Sequence, residues 1–84
     1  MVTMQEVTRR DYRSADAEWF GATIRRLREA RKLTQAELAE LASLSPTYLG
    51  ILERGENVPT LSVILQLAAG LRVHPMELFR DYSA

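Results

Sequence analysis

Two helix-start signals, Thr34 and Ser45, lie eleven positions apart and constrain this chain more than any other feature of its sequence. Thr34-Gln35-Ala36-Glu37 has the form of a capping box. In such a box the Thr hydroxyl takes the amide of the residue three on, and that Glu reaches back to the Thr amide. Ser45-Pro46 is the second signal. Ser is a favoured N-cap, and Pro loses nothing in the first helical position, where its missing N–H would have no partner. The helix begun at Thr34 must therefore end near Ala42, leaving about three residues, Ser43 to Ser45, for the connection. So short a turn crosses two helices steeply instead of laying them antiparallel. Ala39 and Ala42 are small enough to permit the close approach.

The remaining elements follow from periodicity and punctuation. A first helix is predicted over about residues 16–31, with Phe20, Ile24, Leu27 and Ala30 or Arg31 forming its apolar stripe. The helix that opens at Ser45 stops at Gly55, a natural left-handed terminator. A fourth begins after Pro59-Thr60 and should bury Leu61, Ile64, Leu65 and Ala68. A last short helix follows His74-Pro75 and carries Leu78 and Phe79. No strand pattern or internal repeat competes. The expectation is an all-α, compact five-helix bundle containing a helix-turn-helix. Residues 15–84 form the domain, and residues 1–14 form an arm whose order the sequence leaves open.

An 84-residue chain has room for one modest core, and this one has no Cys to staple it. Stability has to come from tight helix packing or from oligomerisation. The lack of Cys also fits a reducing cytosol. Residues 1–10 hold no signal-like apolar run. The densest apolar stretch, residues 63–71, is broken by Gln66 and Gly70 and is too short for a bilayer. A soluble, cytoplasmic protein without membrane contact is expected. The sequence offers little to run a reaction: no Cys, one His, and no phosphate-cradling Gly loop. No enzyme, cofactor or metal is expected. Glu37 and Glu40 share a helical face but have no accompanying ligand set, which marks a solvated acidic face. His74, just before Pro75, reads as a cap or loop residue.

The formal net charge is zero, whereas nucleic-acid binders usually carry a basic excess. The charge is unevenly spread, however. Arg25, Arg26, Arg28, Arg31 and Lys32 face a single acid, Glu29, in one short run. That run is either a phosphate-facing patch or an ordinary solvated helix face.

Gln35-Ala36-Glu37-Leu38-Ala39, residues 45–49, Leu52-Glu53-Arg54-Gly55, Pro59-Thr60-Leu61 and residues 71–79 occur in the order and spacing of one family. Over about residues 20–80 the chain resembles the phage repressor and Cro (XRE-like) helix-turn-helix proteins. The resemblance implies that the helix from Ser45 to Arg54 enters the major groove of double-stranded DNA. Pro46, Thr47, Gly50 and Ile51 would then face base edges. Gln35 would bind a phosphate and buttress the start of that helix, with Ser45, Tyr48, Arg54 and Asn57 near the DNA backbone. Arg28 and Glu53 match a structural ion pair beneath the DNA surface. Tyr48 could equally be a plug between helices.

Three departures from the family pattern matter. Ser43 stands where the family prefers Gly, which implies strain if its φ is positive. Pro46, Gly50 and Ile51 have no hydrogen-bonding side chain, so bidentate base contacts are closed to them. Thr47 can bond a base and Ile51 can press on thymine methyls, which favours thymine. Glu56 sets a negative charge near phosphate. The expected function is a sequence-specific transcriptional regulator, with autoregulation expected as in restriction-modification controllers and phage repressors. The alternative is a protein-interaction module on the same fold, such as an antitoxin. A homodimer on a palindromic operator is expected, with Val73, Met76, Phe79 and Tyr82 at the interface, and Trp19, Tyr12 and Tyr82 flanking the core as a patch for a second subunit.

Overall fold

The structure, a computed structural model, describes residues 13–83. The arm expected over residues 1–14 lies outside the described residues as far as residue 12, and Tyr12 with it. The order is α1 (Arg13–Ala30), α2 (Gln35–Leu41), α3 (Pro46–Glu53), α4 (Leu61–Leu71) and a 3-10 turn (Pro75–Phe79), with no strand among the described residues. The fold is all-helical, but the fifth helix is a correction. Pro75 opens a segment of five residues, too short for an α-helix to repay its nucleation. It closes on an i→i+3 bond from the Glu77 amide to the His74 carbonyl at 2.8 Å. His74 caps it, with Nδ1 accepting from the Met76 amide at 3.1 Å.

Local chemistry sets the helix starts. Thr34 caps α2 through a complete capping box: Glu37 N–H donates to the Thr34 hydroxyl at 3.0 Å, and Thr34 N–H donates to Glu37 Oε1 at 2.8 Å. Glu37 is thereby committed to a cap. Ser45 caps α3 by accepting from Tyr48 N–H, and Thr60 caps α4 by accepting from Val63 N–H. α1 begins three residues before the expected start.

The helix ends share one device. Lys32, Ser43, Gly55 and Arg72 all have positive φ, at 58°, 59°, 76° and 59°. Each is followed by an amide that donates to the carbonyl five residues back: Leu33 to Arg28, Leu44 to Ala39, Glu56 to Ile51 and Val73 to Ala68. These Schellman-type ends satisfy carbonyls that would otherwise be orphaned. Ser43 carries the positive φ that its place in the turn implied.

The core joins Phe20 and Ile24 of α1, Leu38, Ala39 and Ala42 from α2 and its end, Leu49 and Leu52 of α3, Leu67, Ala68 and Leu71 of α4, and Leu78. The stripe on α1 differs from the expected one. Ala17, Phe20, Ile24 and Arg28 are buried, Leu27 is half-buried, and Ala30 and Arg31 are exposed. On α4 the expected face is rotated: Leu67, Ala68 and Leu71 form the core side, while Leu61 is 70% and Leu65 46% exposed. Ile64 is half-buried. The rotation follows from close packing, because a Cβ on Gly70 would lie only 3.0 Å from the Ala42 amide nitrogen. α4 thus meets the end of α2 through its glycine face.

Candidate nucleic-acid interface

The short connection between α2 and α3 is held from three sides. Ala42 is buried beneath it, and Ser43 takes the left-handed conformation that reverses the chain. Gln66 reaches over from α4 and donates through Nε2 to the carbonyls of Ala42 and Ser43, at 3.0 and 3.3 Å. The turn carbonyls thus have a partner from outside the motif. Sequence reading missed Gln66, because a lone Gln inside an apolar run carries no signal of what it will reach.

α3 is anchored along its inner side. Leu49 and Leu52 are fully buried. At its end, Arg28 of α1 grips Glu53 with both forks: Nε donates to Oε2 at 2.7 Å and Nη2 to Oε1 at 3.0 Å. Arg28 Nη1 also donates to the Leu33 carbonyl at 2.8 Å. The Glu53 hydrogen bonds hold the Arg28 guanidinium protonated above its ordinary range and outweigh the opposing desolvation. Gln35 adds a third donor to the same carboxylate, Nε2 to Oε1 at 2.9 Å. Gln35 therefore buttresses the end of α3, not its start as expected. The packing of α2 on α3 brings the first residue of α2 beside the last turn of α3. α1 approaches so closely that a Cβ on Gly21 would lie 2.3 Å from the Leu52 carbonyl oxygen.

The outer side of α3 presents Pro46, Thr47 and Arg54, all exposed, with Ile51 half-buried. Gly50 is buried, although its position was expected on the outer face. Its backbone lies beneath two side chains: a Cβ there would be 3.3 Å from Arg54 Nη1 and 3.7 Å from Gln35 Oε1. Tyr48 is half-buried, and its hydroxyl donates to Asn57 Oδ1 at 3.0 Å, so the plug and the surface hydroxyl are one residue doing both. Burial holds its phenol above the ordinary value. Arg54 is paired with Glu56: Nε and Nη2 donate to the two carboxylate oxygens at 3.2 Å each. Each polar side chain expected to meet DNA therefore already has a protein partner through at least one atom, except Thr47, whose hydroxyl has none among the described residues.

The basic run disperses around α1. Arg28 is buried in its ion pair, Arg25 pairs with Glu29 on the surface, and Arg26 lies 3.5 Å from Asp81. Arg31 donates to the Leu71 carbonyl at 2.9 Å and ties α1 to the end of α4. Four of the five thus have partners within the protein, and Lys32 is exposed.

The expected dimer residues lie in the 3-10 turn, Met76 and Phe79, or on either side of it, Val73 and Tyr82. Met76 is 74%, Phe79 42% and Tyr82 38% exposed, while Val73 packs against the core. Trp19 stacks on Phe79, with centroids 6.0 Å apart, and meets Tyr82 edge-on at 5.0 Å. Beside this cluster runs a groove of about 320 Å³ lined by Trp19, Val58, Pro59, Ile64, Phe79 and Tyr82. Among the described residues no group of three or more His, Asp and Glu could hold a metal ion, and no helix is long and apolar enough to cross a membrane.

An α-helix crossed by a steeply set second helix, pinned from behind and open in front, defines a helix-turn-helix unit. The chain belongs to the helix-turn-helix domain family, whose model matches residues 19–79. It is 43% identical over 53 residues to the immunity repressor protein of Bacillus phage phi105, covering 63% of this chain and 37% of that repressor. It is 39% identical over 54 residues to control protein C.SmaI of Serratia marcescens, covering 64% of each. Among solved structures, the restriction-modification controller protein C.AhdI from Aeromonas hydrophila is similar with a TM-score of 0.75 and 45% identity, covering 77% of this chain and 98% of that one. The chain spans about a third of the length of the phage repressor (37%) and of the Escherichia coli HTH-type transcriptional regulator SutR (32%).

Proposed function

We propose that this chain is a DNA-binding transcriptional regulator that sets α3 into the major groove and reads sequence there. One observation carries the reading. The inner side of α3 is fixed by Leu49, Leu52 and the Arg28–Glu53–Gln35 cluster, while its opposite side, Pro46, Thr47 and Ile51, projects outward with little internal packing. A helix held this rigidly from behind can present a defined surface to a groove. Thr47 supplies the hydroxyl for a base edge, and Ile51 supplies apolar contact for a thymine methyl. Pro46 and Gly50 offer shape without hydrogen bonds.

We also propose a two-fold dimer, which would set two copies of α3 about 34 Å apart on a palindromic operator. The surface that supports it extends the expected residues. Met76, Phe79 and Tyr82 are joined on α4 by exposed Leu61 and Leu65 and by Val58 in the preceding loop. So many large exposed apolar side chains on a small domain favour a partner that covers them.

Fluorescence anisotropy against DNA from just upstream of the gene, with a scrambled duplex as control, tests the reading. Tighter binding to the native fragment, weakened by Thr47→Ala or Ile51→Ala only on that fragment, is the expected outcome. A second reading, a protein-interaction module, is favoured by the apolar reading face and by Arg54 being the single Lys or Arg between Lys32 and Arg72. Absence of binding to either duplex at low salt would favour it over the first.

A further inference from the structure

Arg54 stands alone. No other Lys or Arg occurs from Leu33 to Leu71, the span that holds α2, the turn, α3 and α4. α3 itself contains no basic residue, and Arg54 is its C-cap. Any cationic attraction that the α2–α4 span exerts on phosphate through a side chain therefore rests on this one guanidinium. Its position suits the task, since it extends back over the Gly50 backbone onto the outer face of the helix.

That guanidinium is already occupied. Glu56, two residues on and just past Gly55, engages Nε and Nη2 with both carboxylate oxygens at 3.2 Å. This is the same fork that a phosphate would take. The left-handed turn at Gly55 brings the two side chains together, because it sends the chain back beside the end of α3. The pair is exposed, 59% and 56% for the two side chains, so it is not a stability element. Glu53, the neighbouring acid, is spent on Arg28 and Gln35 and does not compete for Arg54.

We infer that Glu56 is a specificity-determining residue: it holds Arg54 against a carboxylate and so suppresses attraction to phosphate on sequences the protein is not built to read. The inference rests on the DNA-binding reading above. Phosphate contacts supply most non-specific affinity and carry no sequence information. Neutralising the single cation of the α2–α4 span lowers that background while the shape and apolar contacts of Thr47 and Ile51 are kept. The ratio of operator to non-operator binding rises as a result, at the cost of absolute affinity.

The test is salt-dependent binding of a fluorescent duplex of mixed sequence to wild-type protein, Glu56→Gln, Arg54→Gln and the double variant. Both substituted positions are exposed, and the thermal melts of the four proteins should coincide closely enough to compare them. Glu56→Gln should tighten binding roughly three- to tenfold at low salt and steepen the log–log salt slope by about one. In the Arg54→Gln background the same change should leave the slope where it was, since no cation remains to be released. An unchanged slope, or weaker binding, in Glu56→Gln would overturn the inference and make Glu56 an aid that aims Arg54. Equal steepening without Arg54 would also overturn it, leaving plain repulsion by Glu56. Failure of all four proteins to bind any duplex at low salt would instead overturn the DNA-binding reading itself.

Discussion

Glu53 accepts from three donors on two other elements, and this one carboxylate ties α1, α2 and α3 together. Its side chain is 2% and that of Arg28 11% exposed, so neither has water to fall back on. Glu53→Ala leaves a buried guanidinium without its partner and should cost about 3–5 kcal/mol of unfolding free energy by urea titration. Replacing both Arg28 and Glu53 by apolar residues of similar volume should recover a good part of that loss. At Tyr48, burial raises the phenol above its ordinary value of 10.0. As pH rises the unfolded chain loses this proton first, so the stabilisation is complete below about pH 10 and is lost as pH climbs through the folded-state value. Urea stability should therefore fall less between about pH 9 and about pH 11 in Tyr48→Phe than in the wild type.

The helices are short, and their ends matter accordingly. Of the four left-handed terminators only Gly55 is glycine; Lys32, Ser43 and Arg72 adopt the same conformation with a side chain. A left-handed non-glycine residue costs on the order of 1–2 kcal/mol, part of which glycine returns through its own unfolded-state entropy. Ser43→Gly should therefore raise stability by about 0.5–1 kcal/mol, measured as a shift in urea midpoint at constant slope. Gly21→Ala should do the reverse despite alanine's better helix propensity. The new Cβ would press on the Leu52 and Glu53 carbonyls at 2.3 and 2.8 Å, which backbone on both sides cannot relieve. A loss of at least about 2–3 kcal/mol is expected in the same assay. Gly55 was legible in sequence as a terminator at the end of a clear helix signal, and Ser43 only through the resemblance to a family that prefers Gly at its place. Lys32 and Arg72 were not, since basic residues near helix ends are common for their charge alone.

For the molecule as a whole, the small core and the exposed Leu61, Leu65, Met76 and Phe79 point the same way. Association should cover these side chains, and sedimentation at concentrations on the order of tens of micromolar should show a dimer. Leu61→Glu together with Met76→Glu should return it to a monomer with an unchanged helical spectrum, because neither side chain is in the core. A wild-type monomer under those conditions would sink both the interface and the palindromic operator. The intramolecular stacking of Trp19 on Phe79 and against Tyr82 was not legible from sequence, where these aromatics counted only as a patch to be covered.

What sequence alone determined here is everything governed within a few residues. The caps at Thr34, Ser45 and Thr60 depend on side chains reaching their own neighbours' amides, and the stop at Gly55 depends on glycine's easy access to the left-handed conformation. The family resemblance was carried by longer motifs, residues 35–39, 45–49, 52–55, 59–61 and 71–79, taken in order and spacing. Tertiary structure decided which way each helix turned and which charges met. The outward rotation of Leu61 and Leu65, the reach of Gln66 to the turn carbonyls and the pairing of Gln35 with Glu53 depend on contacts 18 or more positions apart. The core determines those contacts by packing whole helix faces against one another, and a local pattern carries no information about the face it will meet.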